Sequence, residues 1–114
     1  MIARLTVPDI ASEVVDVWFS PDLKALYKHL HATYGFTPRA PRDDEAAWVY
    51  RDKERQFVAV WVPYGSAVSA IGHECIHLAV RVMDAYGESP HKAEETFCLI
   101  WEKLFNQIYE ILYQ

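Results

Sequence analysis

Residues 57–86, FVAVWVPYGSAVSAIGHECIHLAVRVMDAY, carry the clearest secondary-structure signals in the chain. They open with an unbroken apolar run over residues 57–62, which predicts a strand covered on both faces. Pro63 ends this strand, because proline lacks the backbone N–H that a sheet requires. Apolar residues then recur at helical spacing over residues 66–84. The stretch therefore predicts a buried strand followed by a long helix.

Periodicity and turn residues predict the remaining elements in the same way. Ser20-Pro21 is typical of an N-cap followed by proline at the first helical position, and Gly35 is a helix-ending residue. The polar run 51–55 lies between two apolar runs and predicts a hairpin. In chain order, the predicted elements are a strand over 2–7, a helix from Ser20 to about Tyr34, strands over 48–50 and 57–62, a helix over 66–84, and a helix from Ser89-Pro90 to about Leu112. This order predicts the α+β class, in which a small antiparallel or mixed sheet packs on three helices and residues 1–114 form one domain.

Charge, hydropathy and cysteine content restrict the function classes. The formal net charge is −5 and no run of Lys and Arg occurs, which argues against a nucleic-acid groove. No apolar stretch reaches the length of a membrane span, and residues 1–10 contain none of signal-peptide length. Two cysteines are too few for a disulfide framework, so the sequence predicts a reduced cytoplasmic protein.

The helix predicted over residues 66–84 brings two histidines and a glutamate to one side. With His73 set at 0°, His77 falls at about 40° and Glu74 at about 100° around the helix axis. Two imidazoles one turn apart on one face suit a single tetrahedral ion, for which zinc is the expected metal. A carboxylate beside them is placed to take a proton from water at the metal. The pattern predicts His73 and His77 as metal ligands and Glu74 as the general base.

The opposite side of the same helix is apolar and predicts its core face. This face consists of Ala67, Val68, Ile71, Cys75, Leu78, Ala79, Val82 and Tyr86. The last helix has its own apolar stripe, made of Phe97, Trp101, Leu104, Phe105, Ile108 and Leu112. If that stripe centres on Trp101, Glu94 falls within it at about 20° and Glu95 falls beyond its edge at about 120°. A carboxylate within an apolar face needs a partner, so Glu94 is predicted as the third metal ligand, with Glu95 as the alternative.

His73-Glu74-Cys75-Ile76-His77 followed by a downstream glutamate resembles the gluzincin branch of the zincin metallopeptidases. The resemblance covers roughly residues 57–105, and size and element order are similar to the small intracellular zincins carried by phages and mobile elements. It implies a minimal zincin-like domain with the motif on its central helix, zinc held by His73, His77 and Glu94, and Glu74 as general base. It also implies that the strand over 57–62 lines a cleft for a peptide or protein substrate.

Other interpretations of these residues remain open from the sequence alone. Asp84 lies at about 20° on the histidine face, so Asp84 or Glu94 is able to bond the two histidines in a metal-free core pair. Cys98, one turn after Glu94, is predicted as a small core residue, and as a ligand it would indicate a purely structural metal site. The functional alternative to a peptidase is a catalytically inactive zincin-like binding or accessory protein that docks on a partner through an exposed apolar patch.

Overall fold

The computed structural model describes residues 1–8, 11 and 14–114, and within them it has four strands and three helices. In chain order these are β1 (Ala3–Arg4), β2 (Asp16–Ser20), α1 (Leu23–Tyr34), β3 (Trp48–Asp52), β4 (Phe57–Trp61), α2 (Val68–Ala85) and α3 (Glu94–Leu112). The predicted α+β class, with a mixed sheet and three helices, is confirmed. Across the described ranges, none of the helices has the length and apolar character needed to cross a membrane.

The four strands form one mixed sheet in the order β1-β2-β4-β3. β2 runs parallel to β4, whereas β1 is antiparallel to β2 and β3 is antiparallel to β4. β2 is absent from the predicted elements, although it supplies one of the two neighbours of β4. The consequence for the site is that β4 is an interior strand and β3 is an edge strand.

Each face of the sheet packs against different helices, because side chains alternate along a strand. On one face, Phe57 and Ala59 of β4 join Leu26 and Leu30 of α1 in a buried cluster. On the other face, Val58, Val60 and the residue after the strand, Val62, join the buried residues of α2 and α3. The prediction that β4 is covered on both faces is therefore confirmed.

Two helix starts differ from prediction. Asp22, rather than Ser20, caps α1, and its carboxylate accepts hydrogen bonds from the backbone N–H groups of Lys24 and Ala25. Ser20 is instead the last residue of β2, and its hydroxyl donates to the Met1 carbonyl. α3 begins at Glu94 rather than at Ser89, because residues 89–93 form a separate turn, in which the backbone N–H groups of Lys92 and Ala93 donate to the Ser89 carbonyl. Gly35 ends α1 as predicted, with a left-handed φ of 69°.

Candidate functional site

The histidine-glutamate motif lies in the middle turns of α2. His73 and His77 are exposed there, and Glu74 is half-buried. The opposite side of the helix is buried at Ile71, Cys75, Leu78, Ala79, Val82 and Met83. The predicted core face is thus confirmed along most of the helix. Ala67, which precedes α2, and Val68, its first residue, are exposed instead.

The two imidazoles converge on one point. The Nε2 atoms of His73 and His77 are 3.2 Å apart, and their ring planes are inclined at 75°. Zinc–nitrogen bonds of about 2.0–2.1 Å at tetrahedral angles place two ligand nitrogens about 3.3 Å apart. The pair therefore fits two ligands of one tetrahedral zinc ion. The same separation also suits a hydrogen bond between neutral rings, in which one Nε2 donates and the other accepts.

Both histidines and Glu74 line a cleft with a volume of 820 Å³. One wall is the exposed side of α2, which also contributes Ala70 and Arg81. The other wall is the segment 45–49, which leads into β3 and forms its first two residues. A cleft of this size lies within the range of about 300–1,000 Å³ that is typical of ligand sites.

The strand beside the cleft is β3 rather than β4. The expectation that residues 57–62 line the cleft is wrong, because β4 is paired with β2 on one edge and with β3 on the other. In the described part of the sheet, β3 pairs with β4 alone, so its second edge is open. Trp48 and Val49 of this edge strand line the cleft.

Charged groups from the loop before β3 and from α2 complete the cleft. The Glu45 carboxylate accepts hydrogen bonds from the Arg42 backbone N–H at 2.9 Å and from Arg39 at 3.2 Å. These bonds, the one from the Arg42 backbone above all, hold the pKa of Glu45 below its ordinary value. Arg42 is itself paired with Asp44 and Glu45. Arg81 has no carboxylate partner within the described ranges, which makes it the uncompensated cation of the cleft.

Glu94 does not line this cleft. It is the first residue of α3 and is exposed, and Glu95 beside it is exposed as well. Within residues 1–8, 11 and 14–114, no group of three His, Cys, Asp or Glu side chains is gathered in metal-binding geometry. The structure brings His73, Glu74 and His77 together but leaves Glu94 apart from them.

The position of Glu94 follows from the orientation of α3. Its fully buried residues are Ile100, Leu104 and Ile108, which places the centre of the buried face about 60° from Trp101. Trp101 packs at the edge of that face, where its Nε1 donates to the Gly72 carbonyl at 3.1 Å. The predicted stripe is buried or half-buried as expected, but its centre is misplaced, so Glu94 lies outside the core.

The remaining predicted residues also have defined places. Asp84 forms an ion pair with Arg51 of β3 rather than with an imidazole. Cys75 is buried as predicted, and burial together with the nearby Glu74 charge raises the pKa of its thiol to about 12. Cys98 is exposed, so its prediction as a core residue is wrong, because the true centre of the buried face lies farther from it.

Three charged residues of the cleft, Arg42, Glu45 and Arg81, are not among the predicted site residues. Arg81 falls at about 80° on the helix, between His77 and Glu74, so helical spacing alone was sufficient to find it. Arg42 and Glu45 belong to an irregular loop, and local sequence carries no signal that this loop faces α2. Comparison of the chain with protein-family models, with curated proteins and with solved structures finds no match.

Proposed function

We propose that this protein is a small zinc-dependent metallopeptidase. The observation that carries the proposal is the 3.2 Å separation of the His73 and His77 Nε2 atoms on the wall of an open cleft. Glu74 lines the same cleft one residue away. His73 and His77 would hold the metal, and Glu94 stays the proposed third ligand through the family resemblance alone. Zinc bound there would act as a Lewis acid on a peptide carbonyl and would make a nearby water more acidic.

The residues of the chain divide the remaining chemistry between them. The Glu74 carboxylate accepts a proton from the attacking water and delivers it to the amine nitrogen as the C–N bond breaks. The open edge of β3 offers backbone groups with which an extended peptide is able to pair. The Arg81 guanidinium is suited to hold a substrate carboxylate or the carbonyl oxygen that becomes negative during attack.

The variant Glu74→Gln tests catalysis separately from metal binding. Because Glu74 is not a ligand in this proposal, the variant should keep its zinc and its fold. It should lose nearly all hydrolysis of a fluorogenic peptide mixture, since an amide does not accept the proton of the water. Glu95→Gln is the matched control, because Glu95 is exposed and lies outside the cleft. Full hydrolysis by zinc-loaded Glu74→Gln protein would exclude the peptidase mechanism.

The second candidate is a catalytically inactive zincin-like accessory protein that acts by docking on a partner. The observation that favours it is an exposed apolar surface on α2 and α3, which includes Ile76 and Leu99. In this case Glu74→Gln should leave the biological activity intact, whereas substitutions on the apolar surface should remove it. The two candidate functions thus predict opposite results for the same pair of variants.

A further inference from the structure

A second concavity lies on the other flank of α2, between α2 and α3. This groove is lined by Ile76, Phe97, Cys98, Trp101 and Glu102 and has a volume of 330 Å³. It shares no lining residue with the cleft. The hydrogen bond from Trp101 Nε1 to the Gly72 carbonyl fixes the indole against α2. The groove therefore has a rigid aromatic wall and a single charged group, Glu102.

Large apolar side chains of the two helices that form the groove are open to solvent. Ile76 is 47% exposed, Leu99 is 57% exposed and Tyr109 is 39% exposed. The aromatic rings of α3 stack in one ladder, with centroids 5.1, 5.8 and 4.7 Å apart along Trp101, Phe105, Tyr109 and Tyr113. Exposed apolar and aromatic side chains beside an open groove are typical of an interaction site.

The helix that forms one wall of the groove, α3, is acidic. α3 carries four glutamates and one lysine, Glu94, Glu95, Glu102, Glu110 and Lys103, and all five are exposed. None of the four carboxylates forms an ion pair within the described part of the chain. This helix thus contributes most of the excess negative charge of a protein whose net charge is −5.

The negative charge of α3 selects among possible occupants of the groove. A symmetric contact with a second copy would bring two acidic α3 helices together, which is unfavourable. We propose that the groove between α2 and α3 docks a basic, amphipathic segment of a partner protein, whose apolar side chains cover Ile76 and Trp101 and whose Lys or Arg side chains meet the α3 carboxylates. Docking of such a segment in the groove requires no metal and does not depend on peptidase activity.

A synthetic peptide serves as the probe for this surface. It has about 18 residues, long enough to form a helix, and contains Leu and Lys at amphipathic spacing. A matched peptide carries Glu in place of every Lys. By fluorescence anisotropy, the protein should bind the Lys peptide at least about tenfold more tightly than the Glu peptide, and added salt should weaken the binding. Glu74→Gln should leave this affinity unchanged.

Paired variants distinguish the groove from general charge attraction. Ile76→Ser and Glu102→Lys should each weaken Lys-peptide binding about tenfold. Val68→Ser and Glu54→Lys are the matched controls and should change it less than about twofold, because Val68 is exposed outside the groove and Glu54 lies in the β3–β4 turn. Circular dichroism establishes that each variant folds. Ile76→Ser removes an apolar contact and Glu102→Lys reverses a charge, so either variant tests the groove if the other one misfolds.

Three results would overturn the proposal. The first is that the Lys peptide does not bind. The second is that Glu54→Lys weakens binding as much as Glu102→Lys, which would indicate attraction to net charge alone. The third is a concentration-dependent dimer in sedimentation that Ile76→Ser disperses, which would assign the groove to a second copy of the chain.

Discussion

The five histidines of the chain have different surroundings, and two of them meet each other. His73 and His77 direct their Nε2 atoms at one point, 3.2 Å apart. His29 instead packs on Trp18 with ring centroids 4.2 Å apart. A metal held by imidazole needs converging nitrogens with open space in front of them, and the cleft provides that space only at His73 and His77.

Removal of either imidazole should therefore remove the metal. We expect the purified protein to hold about one zinc per chain, and His73→Ala or His77→Ala to reduce this close to zero. The measurement is elemental analysis after dialysis. His31→Ala is the control and should keep its zinc, because His31 is exposed on α1, which packs on the opposite face of the sheet from α2. Unchanged zinc in both motif variants would rule out the proposed site.

The proposed third zinc ligand, Glu94, is tested by its own substitution. As the proposed third ligand, Glu94 should contribute to zinc affinity, so Glu94→Ala should weaken it more than Glu95→Ala does. The loss should be smaller than for His73→Ala, because Glu94 is exposed on α3 and does not line the cleft. Competition with a fluorescent zinc chelator measures both affinities, and Glu95→Ala gives the baseline for an exposed neighbour. Equal zinc affinities for Glu94→Ala and Glu95→Ala would exclude Glu94 as the third ligand.

The two cysteines should differ sharply in reactivity. Cys98 is exposed, whereas Cys75 is buried and its thiol pKa is raised to about 12, so Cys75 stays neutral and inaccessible near pH 8. A thiol-specific reagent should label only Cys98 in the native protein, and both cysteines in denaturant. Cys98→Ser should then show no rapid labelling at all. Rapid reaction of Cys75 in the native protein would mean that the α2 core face opens readily.

At the scale of the elements, the contact between α2 and α3 contains Gly72, and there is room for a small side chain at this position. A methyl group on Gly72 would meet Trp101 Cζ2 at 3.8 Å and Phe105 Cε2 at 4.0 Å, which are ordinary contacts. Gly72→Ala should raise the free energy of unfolding by about 0.5–1 kcal/mol, because alanine loses less backbone entropy in a helix. Urea denaturation measures the change.

Gly35→Ala is the matched control for this helix substitution. Gly35 has a left-handed φ of 69°, where a Cβ is unfavourable. Gly35→Ala should therefore lower the free energy of unfolding by about 1 kcal/mol. Destabilisation by Gly72→Ala as well would show that the Trp101–Gly72 hydrogen bond tolerates no adjustment of α2.

Most elements were predictable because their signals are local. The apolar run 57–62 and Gly35 each mark their element or its end without reference to the rest of the chain. β2 was missed although Val15, Val17 and Phe19 alternate with less buried residues, which is a strand pattern. Its parallel pairing with β4 is not encoded locally, since the paired strands are separated by α1 and β3.

In the candidate site, the residues of a single helix were predictable from the sequence, whereas the position of a residue on a second helix was not. His73, Glu74 and His77 belong to one helix, so their arrangement follows from helical geometry alone. Glu94 required the orientation of a second helix, and three half-buried aromatic residues drew the predicted stripe centre away from Leu104. Helical spacing places residues within one element well, but it does not define how two elements meet.

At the scale of the whole molecule, α2 separates two surfaces. On one flank it forms the cleft with the edge strand β3, and on the other it forms the groove with α3. α3 contacts α2 on the side that carries Gly72. The side of α2 that faces β3 is therefore left uncovered, and it forms one wall of the cleft. A substitution at Glu74 therefore changes one surface and a substitution at Ile76 the other, so the proposed metal chemistry and the proposed docking can be tested separately.

Metal binding should also be visible in the stability of the whole fold. A ligand that binds only the native state stabilises it by RT ln(1 + [L]/Kd), or about 2.7 kcal/mol when free zinc is about 100 times Kd. For a chain of 114 residues, this corresponds to a rise in Tm of roughly 10 °C. We expect scanning calorimetry to show this rise on adding zinc to protein treated with chelator, and no comparable rise with magnesium.

The variants make this stability shift specific to the proposed centre. Protein with both His73→Ala and His77→Ala should show no zinc-dependent rise in Tm, because the converging nitrogens are gone. Glu74→Gln should keep the full rise, since its carboxylate is assigned to proton transfer rather than to the metal. A rise of equal size in the double histidine variant would mean that zinc binds this fold elsewhere, and His73 and His77 would then be an ordinary pair of exposed histidines.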